Sequence, residues 1–184
     1  MKRKTTKEIL ASSFREVADS KPVDKITVRD ITENCGYSPA TFYRHFRDKY
    51  DLIAWVYTRS VEKIMDTIDK ENSTWNQSLL AGANLFIKER KYLINLLLNT
   101  SGLDSFSRNM TEVSYNTLRK FIEERYGKET IDDKIDMCIR VYCLGTIHLT
   151  CEWILGMYDF TPEELAEIYE DSLPALLRPL LLNQ

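Results

Sequence analysis

Only two of the 184 residues are histidine, and no two of the four cysteines stand in a CxxC pair. No secretory signal opens the chain and no apolar run is long enough to span a membrane, so the cysteine usage implies a reduced, cytoplasmic setting. There is no phosphate-binding glycine loop, no GxSxG elbow and no HExxH pair. Cys143 and His148, five apart on a helix, do not share a face, so catalytic chemistry has no residues to carry it. His148, Cys151 and Glu152 lie close enough on a helix to suggest metal ligation. With so few histidines, helix-core cysteine and a satisfied histidine are the better reading, and neither metal nor cofactor is expected. No stretch alternates with period two over a useful length, which argues against a sheet, and there is no internal repeat or low-complexity tract.

What is present is helical spacing and a lopsided charge. Hydrophobic residues make up 43% of the chain, enough to bury a core and an all-α fold. Residues 1 to 60 carry 12 Lys and Arg against 8 Asp and Glu, a net of +4; the remaining 124 carry 13 against 20, a net of −7, and the two sum to −3. A basic N-terminal unit on an acidic body fits phosphate binding confined to that unit.

The basic end is also the most legible part. Ile9, Leu10, Phe14 and Val17 form an apolar stripe at helical spacing, and a loop with Pro22 follows. In "TVRDITENCG" Thr27 is an N-cap, Asp30 sits in the first turn, Val28 and Ile31 point inward, and Gly36 supplies the left-handed residue that ends a helix over 27–35. In "YSPATFYRHFRDK" Ser38 caps and Pro39 suits the first helical position, which predicts a short helix over 38–46. At roughly 100° per residue Phe42 and Phe46 share the core face, and Ala40 and Arg44 fall nearly opposite. Asp48 with Asp51 then caps a fourth helix running to about Ile68, with Ile53, Val56, Ser60, Ile64 and Ile68 along one side. Helix, glycine turn and short helix make a helix-turn-helix, whose second helix lies in the DNA major groove.

The run "TVRDITENCGYSPATFYRHFRDKYDLI" resembles the TetR family of bacterial transcriptional regulators, whose "FYxHFxxKxxL" pattern stands here as "FYRHFRDKYDL". The resemblance covers about residues 5 to 55; beyond residue 60 it is architectural. It implies a DNA-binding domain over 1–50 and a helical ligand-binding and dimerisation domain over 51–184. By this resemblance Thr27 meets a phosphate through its hydroxyl and nearby N–H groups; Tyr37, Ser38, Ala40, Thr41 and Arg44 face bases or groove walls; and Tyr43, His45 and Lys49 hold phosphates. Arg44 is the candidate for reading a guanine, because a guanidinium bonds two acceptors of that base at once. Pro39 and Ala40 fall where family members vary, so the bound sequence is left open.

The body reads as four long helices: Trp75 to Asn99, Ser101 to Tyr126, about Ile131 to Met157, and one opening at "TPEE", where Thr161 caps and Glu164 completes a capping box. The third is apolar nearly all round. One side carries Cys138, Tyr142, Gly145, Leu149 and Gly156; the opposite side carries Cys143, Ile147, Cys151 and Ile154. A helix buried on both sides needs a partner on each. The first side, with Leu165, Leu173 and Leu176 of the last helix and a bend at Pro174, is assigned to a four-helix homodimer interface, which the resemblance also implies. The resemblance further implies a small-molecule effector between the body helices. The candidate lining is Trp75, Phe86, Phe106, Met110, Tyr115, Cys143, Ile147 and Cys151, mostly apolar groups that favour a partly apolar ligand. The expected function is a repressor on a palindromic operator; an activator, or an adaptor controlled by a partner protein, is the alternative.

Overall fold

The computed structural model describes residues 4–71, 73–101 and 105–182, and side chains except those of 68–71. Ile68, expected on the inner side of the fourth helix, is thus outside the described side chains, as are residues 102–104 just after the expected helix start at Ser101. Among the described residues there is no strand. The elements are α1 (Thr6–Ala18), α2 (Val28–Cys35), α3 (Pro39–Tyr43), α4 (Lys49–Glu71), α5 (Trp75–Lys88), α6 (Arg90–Leu98), α7 (Phe106–Tyr126), α8 (Asp133–Ile154), α9 (Pro162–Asp171) and α10 (Arg178–Leu181). None is long and apolar enough to cross a membrane.

The caps do the local work. Thr27 and Asp30 form a reciprocal box at the start of α2, and Gly36 closes it at φ 72°, a conformation that penalises any residue with a Cβ. Ser38 caps α3 through the Thr41 N–H, with Pro39 in the first turn. Asp48 Oδ1 accepts the Tyr50 and Asp51 N–H groups at 2.8 and 2.9 Å, starting α4. Thr161 and Glu164 close the box that opens α9.

Three expected elements differ. Regular helix in α3 stops at Tyr43, and the Phe46 N–H to Phe42 carbonyl bond carries one further turn to the end of the expected span. The expected helix Trp75–Asn99 is two helices, broken at Glu89, whose φ of −99° and ψ of 7° leave the helical region. Glu89 there pairs with Arg15 of α1, so a tertiary ion pair marks the break. The last helix ends at Asp171 ahead of Pro174, and α10 follows as a separate turn.

One core cluster runs from the first three helices into the body. It joins Leu10, Phe14, Ile31, Phe42 and Phe46 to Leu52, Tyr57, Tyr92, Leu96, Phe106 and Ile147, and the Phe14 and Tyr92 rings meet edge-on at 6.3 Å. A second cluster gathers Trp75, Tyr115, Leu118, Ile122, Ile139, Tyr142, Leu173 and Leu177 around α7, α8 and the C-terminal turns.

Candidate DNA interface and interhelical cavity

The outward face of α3 is built by what α3 buries. Phe42 is fully buried and Phe46 nearly so, which orients the five-residue helix and leaves Ser38, Ala40, Tyr43 and Arg44 exposed. Tyr43 is 59% exposed, its ring held edge-on against Phe42 at 5.6 Å. An exposed aromatic fixed in this way presents its hydroxyl at low entropic cost. Arg44 folds back onto Thr41, its Nη2 donating to the Thr41 hydroxyl at 3.0 Å. Tyr37 and His45 are half-buried beside them, Tyr37 packing on the head core. The structure therefore brings Tyr37, Ser38, Ala40, Thr41, Tyr43, Arg44 and His45 together around one short helix.

Thr27 and Lys49 differ from these residues, because their own donors are engaged within the chain. The Thr27 hydroxyl and backbone N–H both donate to the Asp30 carboxylate at 2.7 Å. Lys21 bonds the same carboxylate at 2.7 Å, and the Lys21 and Thr27 hydrogen bonds hold the Asp30 pKa far below the ordinary 3.8. Lys49 Nζ donates to the carbonyls of Val23, Asp24 and Ile26 at 2.7, 2.9 and 2.8 Å. All three ammonium protons are engaged, so Lys49 closes the loop between α1 and α2 from the start of α4. Sequence spacing could not distinguish this from a phosphate contact. Conversely, Arg47, absent from the expected contacts, has 86% of its side chain exposed, with its guanidinium 4.0 Å from the Asp51 carboxylate, and Arg29 on α2 is 80% exposed while pairing with Glu33.

In the body, a cavity of about 140 Å³ lies between α4, α5, α7, α8 and α9. Trp75, Phe86, Cys143 and Ile147 line it as expected. Phe106, Met110, Tyr115 and Cys151 do not. Phe106 stacks edge-on to Tyr57 at 5.6 Å and faces a smaller cavity of about 60 Å³ next to α1 and α6. Met110 is fully buried and meets Cys151, sulfur to sulfur at 3.9 Å. The Tyr115 hydroxyl donates to Asp136 at 2.6 Å on the far side of α7, with Arg119 on the same oxygen and Arg140 over the Tyr115 ring. Helical spacing shows that such residues point inward; it does not show which meet a void and which meet each other. Sequence reasoning also missed the wall supplied by α4 (Tyr57, Val61, Ile64, Met65) and α9 (Leu165, Ala166, Tyr169). Burial pushes the Cys143 thiol up to about 12 and the Cys151 thiol to about 11, so neither forms a thiolate near neutral pH.

The residues assigned to the dimer face divide between buried and exposed. Tyr142, Leu165 and Leu173 are buried within the chain at 6%, 4% and 4% exposure, because α9 packs against α5 and α8 and the Tyr142 hydroxyl donates to the Tyr169 carbonyl at 2.9 Å. Cys138 is half-buried against the second core cluster. Gly145, Leu149, Gly156 and Leu176 are exposed, but Gly156 belongs to the turn after α8, at φ 86°. The apolar face open to solvent on α8 is Met137, Val141 and Leu144, with Gly145 and Leu149 beside it; Ile168 of α9 and Leu176 are exposed as well.

This architecture matches known proteins at both ends. Residues 10–56 match the family of bacterial regulatory proteins called tetR, and residues 73–174 match a transcriptional regulator C-terminal region of the TetR type. Over 75 residues the chain is 24% identical to the HTH-type dhaKLM operon transcriptional activator DhaS of Lactococcus lactis subsp. lactis (strain IL1403); the aligned stretch spans 41% of this chain and about two fifths (40%) of that protein. Among solved structures, a dihydroxyacetone kinase operon activator DhaS superposes with a TM-score of 0.56 at 18% identity, covering 96% of this chain and 94% of that one. The fatty acid degradation regulator FadR from Bacillus halodurans gives 0.55 at 15%, covering 98% and 97%. The TetR family repressor AlkX from Dietzia sp. strain DQ12-45-1b, implicated in n-alkane biodegradation, gives 0.55 at 16%, covering 98% and 100%. At these identities the structural likeness establishes the fold, and the two family matches place the chain in the TetR family of DNA-binding transcriptional regulators.

Proposed function

We propose that this regulator acts in the cytoplasm as a homodimer on an approximately palindromic operator, represses the adjoining genes, and releases DNA when a small molecule occupies the interhelical cavity. The observation that carries the reading is the face of α3: a capped helix, fixed by Phe42 and Phe46, that presents Ser38, Ala40, Tyr43 and Arg44 outward on the basic end of an acidic chain. The division of labour follows residues 1–50 for DNA and 51–184 for dimer and effector. Two heads bound to successive major-groove faces need a fixed separation of about 34–36 Å or a multiple of it. The open apolar face of α8, centred on Met137, Val141 and Leu144, supports dimerisation, since solvent-exposed apolar side chains on three successive turns gain free energy when covered.

Selection of bound sequences from a random duplex pool, followed by footprinting, tests the proposal. A palindromic consensus protected over two half-sites supports it; retention of DNA without sequence preference overturns it. Activation is the second reading, favoured by the match to the DhaS activator, with control by a partner protein in place of an effector. Transcription from a promoter carrying the selected operator separates the two by sign.

A further inference from the structure

The interhelical cavity has a chemical character of its own. None of its lining residues carries a charge. The hydroxyl protons on its α8 and α9 walls are engaged: Tyr142 donates to the Tyr169 carbonyl at 2.9 Å, Thr146 donates to the Tyr142 carbonyl at 2.8 Å, and the Thr150 and Tyr169 hydroxyls lie 2.8 Å apart and within 2.8 and 2.9 Å of the Thr146 carbonyl, which their two protons share between them. On the α5 wall the Ser78 hydroxyl donates to the Trp75 carbonyl at 2.7 Å. Trp75 is different. It is 5% exposed, it lines the cavity, and its Nε1–H is the one buried side-chain donor without a partner among the described residues. Burial raises the pKa of the adjoining Tyr142 hydroxyl and the nearby Trp75 N–H opposes that rise, yet the two do not reach hydrogen-bond geometry. An indole nitrogen only donates, and a buried donor left unpaired is costly enough that native proteins rarely keep one without a use.

We propose that the cavity takes an uncharged compound the size of one aromatic ring with a short substituent, whose single hydrogen-bond acceptor receives the Trp75 indole N–H. This deepens the effector reading and rests on it. The volume of about 140 Å³ sets the size: a cavity near 150 Å³ is known to hold benzene. The uncharged wall sets the charge, because a carboxylate or ammonium taken in there would lose its water and find no counter-ion. The orphan N–H sets the polarity, since a carbonyl or ether oxygen satisfies it and a hydrocarbon does not.

Three probes of similar size separate these requirements: acetophenone, which carries a carbonyl acceptor; ethylbenzene, which carries none; and benzoate, which is charged. Binding is measured by calorimetry on the full chain, and the indole ¹⁵N–H signals of labelled protein are followed, Trp75 being assigned by its loss in Trp75→Phe. Acetophenone is expected to bind about 5–10-fold more tightly than ethylbenzene, the worth of one neutral hydrogen bond, and at least about 100-fold more tightly than benzoate. Its carbonyl should move the Trp75 N–H signal downfield while those of Trp55 and Trp153 stay. In Trp75→Phe the acetophenone advantage over ethylbenzene should vanish. If that variant does not fold, the Trp75 indole signal is assigned by through-bond and NOE connection to its own backbone amide, and its shift in the wild type decides alone. Equal binding of acetophenone and ethylbenzene, a stationary Trp75 signal, tightest binding of benzoate, or no binding by any probe overturns the inference. Operator binding by the ligand-free protein in the same preparation shows whether the regulator reading stands when the cavity inference falls. Failure of operator binding alone, with acetophenone bound, removes the regulatory role and leaves the site.

Discussion

Asn95 of α6 holds Val23 in the loop between α1 and α2: its Oδ1 accepts the Val23 backbone N–H at 3.0 Å, while its Nδ2 donates to the carbonyls of Ala18 and Lys21 at 2.8 and 3.0 Å. Lys91, one turn earlier, donates to the Asp19 carbonyl at 3.0 Å. The head is therefore tied to the body through α6 as well as through the continuous helix α4. Immediately before α6, α5 carries Phe86 into the cavity wall, and Glu89, which caps its end, pairs with Arg15 of α1. A side chain displaced in the cavity thus lies one helix break away from a loop of the DNA head.

Asn95→Ala removes these three bonds and the one that its Oδ1 accepts from Asn99 Nδ2 at 2.9 Å, and leaves the Val23 N–H and two carbonyls to find other partners. Leaving buried polar groups unpaired costs about 1–3 kcal/mol, so the melting temperature should fall by several degrees. Effector affinity should stay within about twofold while the coupling between effector and operator weakens, because coupling is carried by elements whose arrangement both ligands bias. Titrating operator affinity with and without a bound cavity ligand reads the coupling directly. Undiminished coupling in this variant would assign transmission to α4 alone.

Lys49 gives a prediction that separates its structural role from the phosphate role its motif implies. With its protons on the carbonyls of Val23, Asp24 and Ile26, Lys49→Met should destabilise the chain by about 2 kcal/mol, in the range for hydrogen bonds to a charged group. The slope of log affinity against log salt should be unchanged. A phosphate-bound lysine gives the opposite pattern, a slope lower by about one and little change in stability. Arg47, with its exposed guanidinium, is expected to show that second pattern.

How much could be read from the residues divides along physical lines. Caps are local: Thr27 with Asp30, Ser38 with Pro39, and Thr161 with Glu164 each satisfy orphan N–H groups within three residues, so their positions in the chain carry the information. The core pair Phe42 and Phe46 was legible from spacing for the same reason. The break at Glu89 was not, because the sequence there contains no proline or glycine and the ion pair to Arg15 comes from 74 residues upstream. Nor could spacing separate Cys143, which meets the cavity, from Cys151, which meets Met110 two turns further along α8. The open face of α8 was misplaced by a rotation about the helix axis: an apolar sequence on all sides leaves the choice to the neighbours, and α9 covers Tyr142 rather than Val141.

Arg44→Ala tests base reading. The guanidinium rests on the Thr41 hydroxyl at 3.0 Å, which preorganises it over the exposed end of α3. Loss of a bidentate base contact should cost about 1–3 kcal/mol on the selected operator and blur discrimination at one position. Binding to random duplex should change far less. Equal losses on both would reassign Arg44 to the phosphates.

Acid titration should report on the head through Asp30. Its folded pKa is depressed by the hydrogen bonds from Lys21 and Thr27. A carboxylate of this kind contributes stability in full above its unfolded pKa near 3.8, and that contribution is lost as pH falls from there toward the folded value. The wild-type head should therefore lose stability steeply below about pH 4, and in Asp30→Asn the loss should be shallower although the starting stability is lower. Parallel curves for the two proteins would place the acid sensitivity elsewhere.

Gly145→Leu tests the dimer face with little risk to the fold. A Cβ added at Gly145 meets nothing within 4 Å in the chain, and replacing a mid-helix glycine by leucine favours the helix by roughly 0.5–1 kcal/mol. The isolated chain should thus be as stable as the wild type or slightly more so. Between two copies the side chain is different, because it stands beside Val141 and Leu144, where a facing helix must approach. Bulk there should force the helices apart, shift the protein toward monomer in sedimentation, and lower operator affinity in proportion to the lost dimer. Val141→Glu should act in the same direction more strongly, since the covered face would have to desolvate a charge. If both variants sediment as dimers, this face does not form the dimer interface.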